Sequence, residues 1–170
     1  MQLFSTFGFV KKDMHTHHYN ATINWTGNKG TGTSHYRAYE RSHTISIEGK
    51  AYIEGSSDPA FRGDKSKYNP EELLIASLSA CHLLSYLHVC SEEGVVIIAY
   101  SDEATGTMKE TENGGGYFTE VRLNPVVVVS NASMIEKANE LHHKAHERCF
   151  IASSCNFPVN HFPTCHTNPD

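Results

Sequence analysis

Residues 69–87 read NPEELLIASLSACHLLSYL, and this stretch decides the fold. Asn69 can cap a helix, Pro70 suits the first helical position, and Glu71 and Glu72 favour the positive end of the helix dipole. The helix continues through HVCSEE and ends near Gly94. Leu73, Leu74, Ile75, Leu78, Leu83, Leu84, Leu87 and Val89 leave it little polar face. A helix apolar on nearly all sides is buried, in the middle of a core or of a dimer.

The flanking segments supply strands. Upstream, YNATINWT (19–26) alternates as a strand and GNKGTG (27–32) reads as a turn. Residues 34–54 are strand-like, with a hairpin about Glu48-Gly49-Lys50, and 55–68 is a loop rich in Gly, Ser, Pro and Asp. Downstream, residues 95–110 read as a strand pair or one long strand. A turn at Asn113-Gly114-Gly115-Gly116 leads back into the strand YFTEVRLNPVVVVS. Ser133 and Glu136 form a capping-box pattern before a second helix, whose apolar face holds Ile135, Ala138, Leu141, Ala145 and Cys149. The tail from Cys155 reads as one short strand and a loose end. The order strands, helix, strands, helix, strand defines an α+β fold with two main helices packed against antiparallel sheet. Residues 15–170 read as one domain behind an extension at 1–14.

Composition narrows the function. The chain has 170 residues, 39% hydrophobic and 19% charged, which suits one globular domain. A net charge of −5 without a basic stripe argues against a nucleic-acid partner or an anionic membrane. No stretch approaches the roughly 18 apolar residues of a spanning helix. The N-terminus places its aromatics before its lysines, the reverse of a secretory signal, so a cytoplasmic location is expected. Five cysteines in such a chain are expected to be reduced at rest and to serve packing, metal binding or redox chemistry.

The thiols divide by position. Cys90 lies on the opposite side of the first helix from Cys81, about 13 Å along the axis, too far for a disulfide between them, and reads as core. Cys81 alone would also read as a small core residue. Its neighbours Ser77, Ser79, Ala80 and His82 are small or polar, however, and Cys149 lies on the apolar face of the other helix. Cys155 and Cys165, with His161 and His166, match no standard zinc spacing. His142 and His146 sit four apart on a helix, a spacing that permits a metal, but without a third ligand they read as a solvated face.

Together these residues resemble the OsmC/Ohr family. An Asn-Pro-Glu start followed ten residues later by cysteine, here Glu71 and Cys81, resembles the family's central helix. AHERCFIASS (145–154) resembles its second cysteine segment. The resemblance implies an intertwined homodimer with back-to-back central helices and active sites at the interface. It implies a peroxidase that reduces organic hydroperoxides, with Cys81 as nucleophile and Cys149 as resolving thiol. A dithiol, often of lipoyl type, would serve as reductant, and no cofactor or metal is implied. The family's arginine falls on Arg62 as first choice, with Arg37 and Arg41 as competitors, and Glu71 would hold it. Glu71 stands about 15 Å from Cys81 along a straight helix, so it would act through the arginine, a bend or the partner chain. His82 stands where many relatives carry an aromatic residue, and Cys155 is an added thiol near the resolving one. Two other readings compete: a non-catalytic binding or stress-response protein of the same fold, and a cysteine hydrolase. The hydrolase is disfavoured because His82, turned about 100° from Cys81, is poorly placed as its base.

Overall fold

The computed structural model describes residues 15–168, so the expected extension at 1–14 lies outside the described residues. Strands β1 (Thr22–Trp25), β2 (His43–Ser46) and β3 (Ile53–Gly55) form an antiparallel meander. It is followed by the long helix α1 (Pro70–Glu92). Then come β4 (Ile97–Asp102), β5 (Thr105–Glu110), β6 (Gly116–Leu123) and β7 (Pro125–Val129). Helix α2 (Ile135–Glu147) and the short strands β8 (Val159–His161) and β9 (Thr164–Thr167) complete the chain.

The start of α1 closes as a full capping box. The Asn69 side chain accepts from the Glu72 amide at 2.8 Å, and Glu72 Oε2 accepts from the Asn69 amide at 3.1 Å. Gly94, at φ 71°, takes the left-handed conformation just past the other end. The second helix starts differently from expectation. Its capping box between Ser133 and Glu136 does not form. Asn131 instead accepts from the amide and hydroxyl of Ser133 and starts a short 3-10 turn that leads into α2.

Two sheets back the helices. β4, β7 and β9 form one, and β5, β6 and β8 the other, so β4 and β5 belong to different sheets despite their adjacency. Asn124 alone separates β6 from β7 in the same way, and its amide donates to Asp102 at 2.6 Å to hold the crossing. The sheets are antiparallel as expected except at their last strands: β8 joins β6 and β9 joins β7 in parallel. The tail thus supplies two strands, one to each sheet. Residues 34–42 are turns, because Arg41 folds back to donate to the carbonyls of Tyr36 and Tyr39 at 2.8 and 2.7 Å.

Between α1 and α2, Tyr86, Val89 and Cys90 pack on Ala138, Leu141, Ala145 and the β7 residues Val127 and Val129. A second cluster joins Leu78 to Val121, Leu123 and Val159. By length and composition α1 also meets the requirement for a membrane span, which corrects the expectation that no stretch approaches one. Its caps, its buried His82 and its packing against α2 fit a core helix. One face remains open in the single chain: Leu84 is 67% and Leu87 39% exposed. The β1–β3 sheet contributes to neither core and exposes Ile23, Trp25 and Tyr52.

Candidate active site

Cys81 projects from the middle of α1, and Cys149 lies two residues past the end of α2. The Cys149 amide donates to the His146 carbonyl at 3.1 Å, and the Cys149 carbonyl accepts from both the amide and hydroxyl of Ser153 at 3.0 Å. These bonds fix the turn that aims Cys149 at α1. Cys149 is buried, Cys81 is half-buried, and the two thiols are neighbours. Burial, and then the neighbouring Cys81 thiol, push the Cys149 thiol above the usual thiol range. Cys149 therefore keeps its proton, and Cys81 is the sulfur that faces open space.

That space is a groove of about 820 Å³, predominantly apolar. Ser77, Leu84, Ser85 and His88 line it from α1, at positions −4, +3, +4 and +7 from Cys81, which is one stripe of a helix. Glu147, Arg148 and Phe150 form the other wall. Arg148 is anchored by Glu92, Nη1 to Oε2 at 2.7 Å, and this bond holds the Glu92 carboxyl below its ordinary range. Arg148 was not singled out in the sequence, although it adjoins Cys149 there. The groove can seat an apolar molecule with one end against Cys81 and its far end near a guanidinium.

The other expected site residues lie elsewhere. Glu71 does not line the groove, and its Oε2 is buried without a hydrogen-bond partner. Arg62 takes a left-handed backbone conformation (φ 65°) and borders a separate polar pocket of about 290 Å³ with Arg41, Ser42 and Ser56. Arg41 is committed to the Tyr36 and Tyr39 carbonyls and rings. Arg37 is exposed. None of the three lines the Cys81 groove within one chain. Arg62 is close to Cys81 in sequence, but α1 carries the chain about 15 Å away before reaching the cysteine.

The reading of His142 as solvated is also corrected. His142 and His82 are both fully buried, and His82 Nε2 lies 3.0 Å from His142 Nδ1. Tyr86 stacks on His142, with ring centroids 3.8 Å apart. His142 follows Ala138 by four residues and precedes Ala145 by three, so it shares the apolar face of α2. His82 points into the core and does not serve Cys81. Among the described residues no three His, Cys, Asp or Glu side chains are grouped to hold a metal ion.

Fold and site together define an α+β protein in which a thiol of the first helix meets one just past the second, beside an apolar groove. The OsmC-like protein family matches residues 63–161, a stretch that contains Glu71, Cys81 and Cys149 and excludes Arg37, Arg41 and Arg62. The chain belongs to that family. Among solved structures, an OsmC-like protein of unknown function from Vibrio cholerae is 28% identical, with a TM-score of 0.78 over 88% of this chain and 100% of that one. An organic hydroperoxide resistance protein from Elizabethkingia anophelis is 22% identical, with a TM-score of 0.65 over 92% and 99%. An organic hydroperoxide resistance protein from Legionella pneumophila is 17% identical, with a TM-score of 0.66 over 91% and 100%. The last two establish likeness of fold. No curated protein sequence matches the chain.

Proposed function

We propose that this protein is a thiol-dependent peroxidase for organic hydroperoxides. The observation that carries the reading is the neighbouring Cys81 and Cys149 thiols at the edge of the apolar groove. The Cys81 thiolate attacks the terminal peroxide oxygen, the O–O bond breaks, and the alcohol leaves with a proton. Cys81 is then a sulfenic acid. The Cys149 sulfur displaces that hydroxyl as water and forms the disulfide, and an external dithiol reopens it by exchange. The groove's apolar walls favour an organic peroxide over hydrogen peroxide. Cytoplasmic location suits the cycle, since it keeps the dithiol reduced.

The working unit in this reading is a homodimer, with residues 15–170 as one domain per subunit. The open Leu84–Leu87 face of α1 and the unpacked β1–β3 sheet provide surface for a second copy. That copy would bring an arginine, Arg62 or Arg37, toward Cys81. A second reading, a non-catalytic binding protein, draws on one observation: no expected arginine reaches Cys81 within the chain. Consumption of cumene hydroperoxide with dihydrolipoate as reductant separates the two. Turnover abolished by Cys81→Ser supports the peroxidase. No turnover, with Cys81 left unoxidised by excess peroxide, refutes it.

A further inference from the structure

Four imidazoles gather where α1, α2 and β8 meet, and the chemistry at Cys81 uses none of them. His82 and His142 share a hydrogen bond at 3.0 Å and are fully buried. His161 from β8 lies 5.5 Å from His82 and 6.3 Å from His142, centroid to centroid, and 5.4 Å from His146. His82 Nδ1, His142 Nε2 and His146 Nδ1 are buried without a hydrogen-bond partner. Such a cluster is stable only while neutral. A neutral His82–His142 pair places one proton between its two facing nitrogens. A protonated second ring sets two N–H groups against each other in a site that cannot solvate the charge.

We propose that this cluster is an acid-sensitive latch on the Cys81–Cys149 pair, clamping α1 to α2 when neutral and releasing the two thiols from each other when protonated. The connection is covalent and short. His82 follows Cys81 directly, and the His146 carbonyl accepts from the Cys149 amide. The His82–His142 bond is therefore a polar tie between the two helices that deliver the thiols, next to the site of delivery.

The groups around the pair favour the neutral form. From α1, Tyr86 stacks on both rings, and its own hydroxyl donates to the Ala138 carbonyl. Tyr100 of β4 lies against Tyr86, and Cys90 and Cys165 adjoin that tyrosine. His143 of α2 acts on His161. The charges acting on His82 and His142 all come from other histidines, so protonating one opposes protonating the next. Burial lowers His82 to about 4 and His142 to about 3. Acid in the range around pH 3 to 4 thus opens the latch and lengthens the life of a Cys81 sulfenic acid.

The inference rests on the proposed thiol pair but not on peroxide turnover, and its test keeps the two apart. The reduced protein is treated with 2,2′-dipyridyl disulfide, a thiol reagent that stays reactive in acid. Cys81 displaces one pyridinethione and carries a pyridyl disulfide. If Cys149 is in contact it displaces the second, leaving the Cys81–Cys149 disulfide. Peptide mass spectrometry counts adduct against disulfide. The expected result is mainly disulfide at neutral pH and mainly Cys81 adduct near pH 3, a shift of tenfold or more in their ratio. His82→Gln and His142→Asn, which keep a neutral polar atom near the bonded nitrogen, should retain the disulfide at both pH values. Equal shifts in wild type and variants would overturn the latch. If the variants do not fold, the side-chain NMR titration of wild-type His82 and His142 decides: titration at the ordinary imidazole value, or without loss of disulfide yield, overturns it. Mainly adduct at neutral pH would instead refute the Cys81–Cys149 pairing itself.

Discussion

The buried histidine pair makes the stability of this protein depend on pH in a direction and amount that can be worked out. Unfolded, His82 and His142 titrate at 6.5; folded, they are lowered to about 4 and about 3. Below pH 6.5 the unfolded chain binds more protons than the native one, so stability falls as pH falls. The contribution is complete above 6.5 and is lost progressively down to the folded values. Between about pH 7 and about pH 5 each ring costs about 2 kcal/mol by linkage, and the two together about 4. That is a large part of the 5–15 kcal/mol typical of a folded domain. Urea unfolding at fixed protein concentration, at about pH 7 and about pH 5, measures the loss through the transition midpoint, provided the slope stays constant. His142→Asn removes one of the two titrations, so its loss over the same range should be smaller by about 2 kcal/mol. Parallel curves for wild type and His142→Asn would refute the reasoning, because burial would then not be holding that ring neutral.

Two further outcomes follow from the geometry. Asn69→Ala opens the capping box at the start of α1 and should lower stability by about 1 kcal/mol in urea unfolding, leaving the helix in place by circular dichroism. Leu84→Glu places a charge on the open face of α1, where the side chain touches little in the single chain. If a second copy covers that face, the variant should shift toward monomer in sedimentation with its circular dichroism unchanged. An unaltered sedimentation coefficient would place the subunit contact elsewhere.

The sequence by itself determined the local elements. Asn69, Pro70, Glu72 and Gly94 bound α1 because capping and left-handed turns depend on residues a few positions apart. The hairpin between β2 and β3 and the turn at Asn113–Gly116 were legible for the same reason. The two cysteines that meet were legible through the resemblance of their segments to the family, while helical spacing placed only Cys81 on a definite face. Even the groove wall was implicit, since Ser77, Leu84, Ser85 and His88 share the Cys81 stripe. The tertiary structure decided what depends on distant partners. β8 and β9 each join a parallel neighbour more than thirty residues away in the chain, and nothing within so short a strand specifies which. Arg62 is near Cys81 in sequence and far in space, because a straight helix converts residues into distance. Local pattern reads His142 as polar and therefore solvated. It is buried because His82, sixty residues earlier, supplies its hydrogen bond and Tyr86 its stacking surface. A neutral imidazole enters a core only when the fold brings it such a partner.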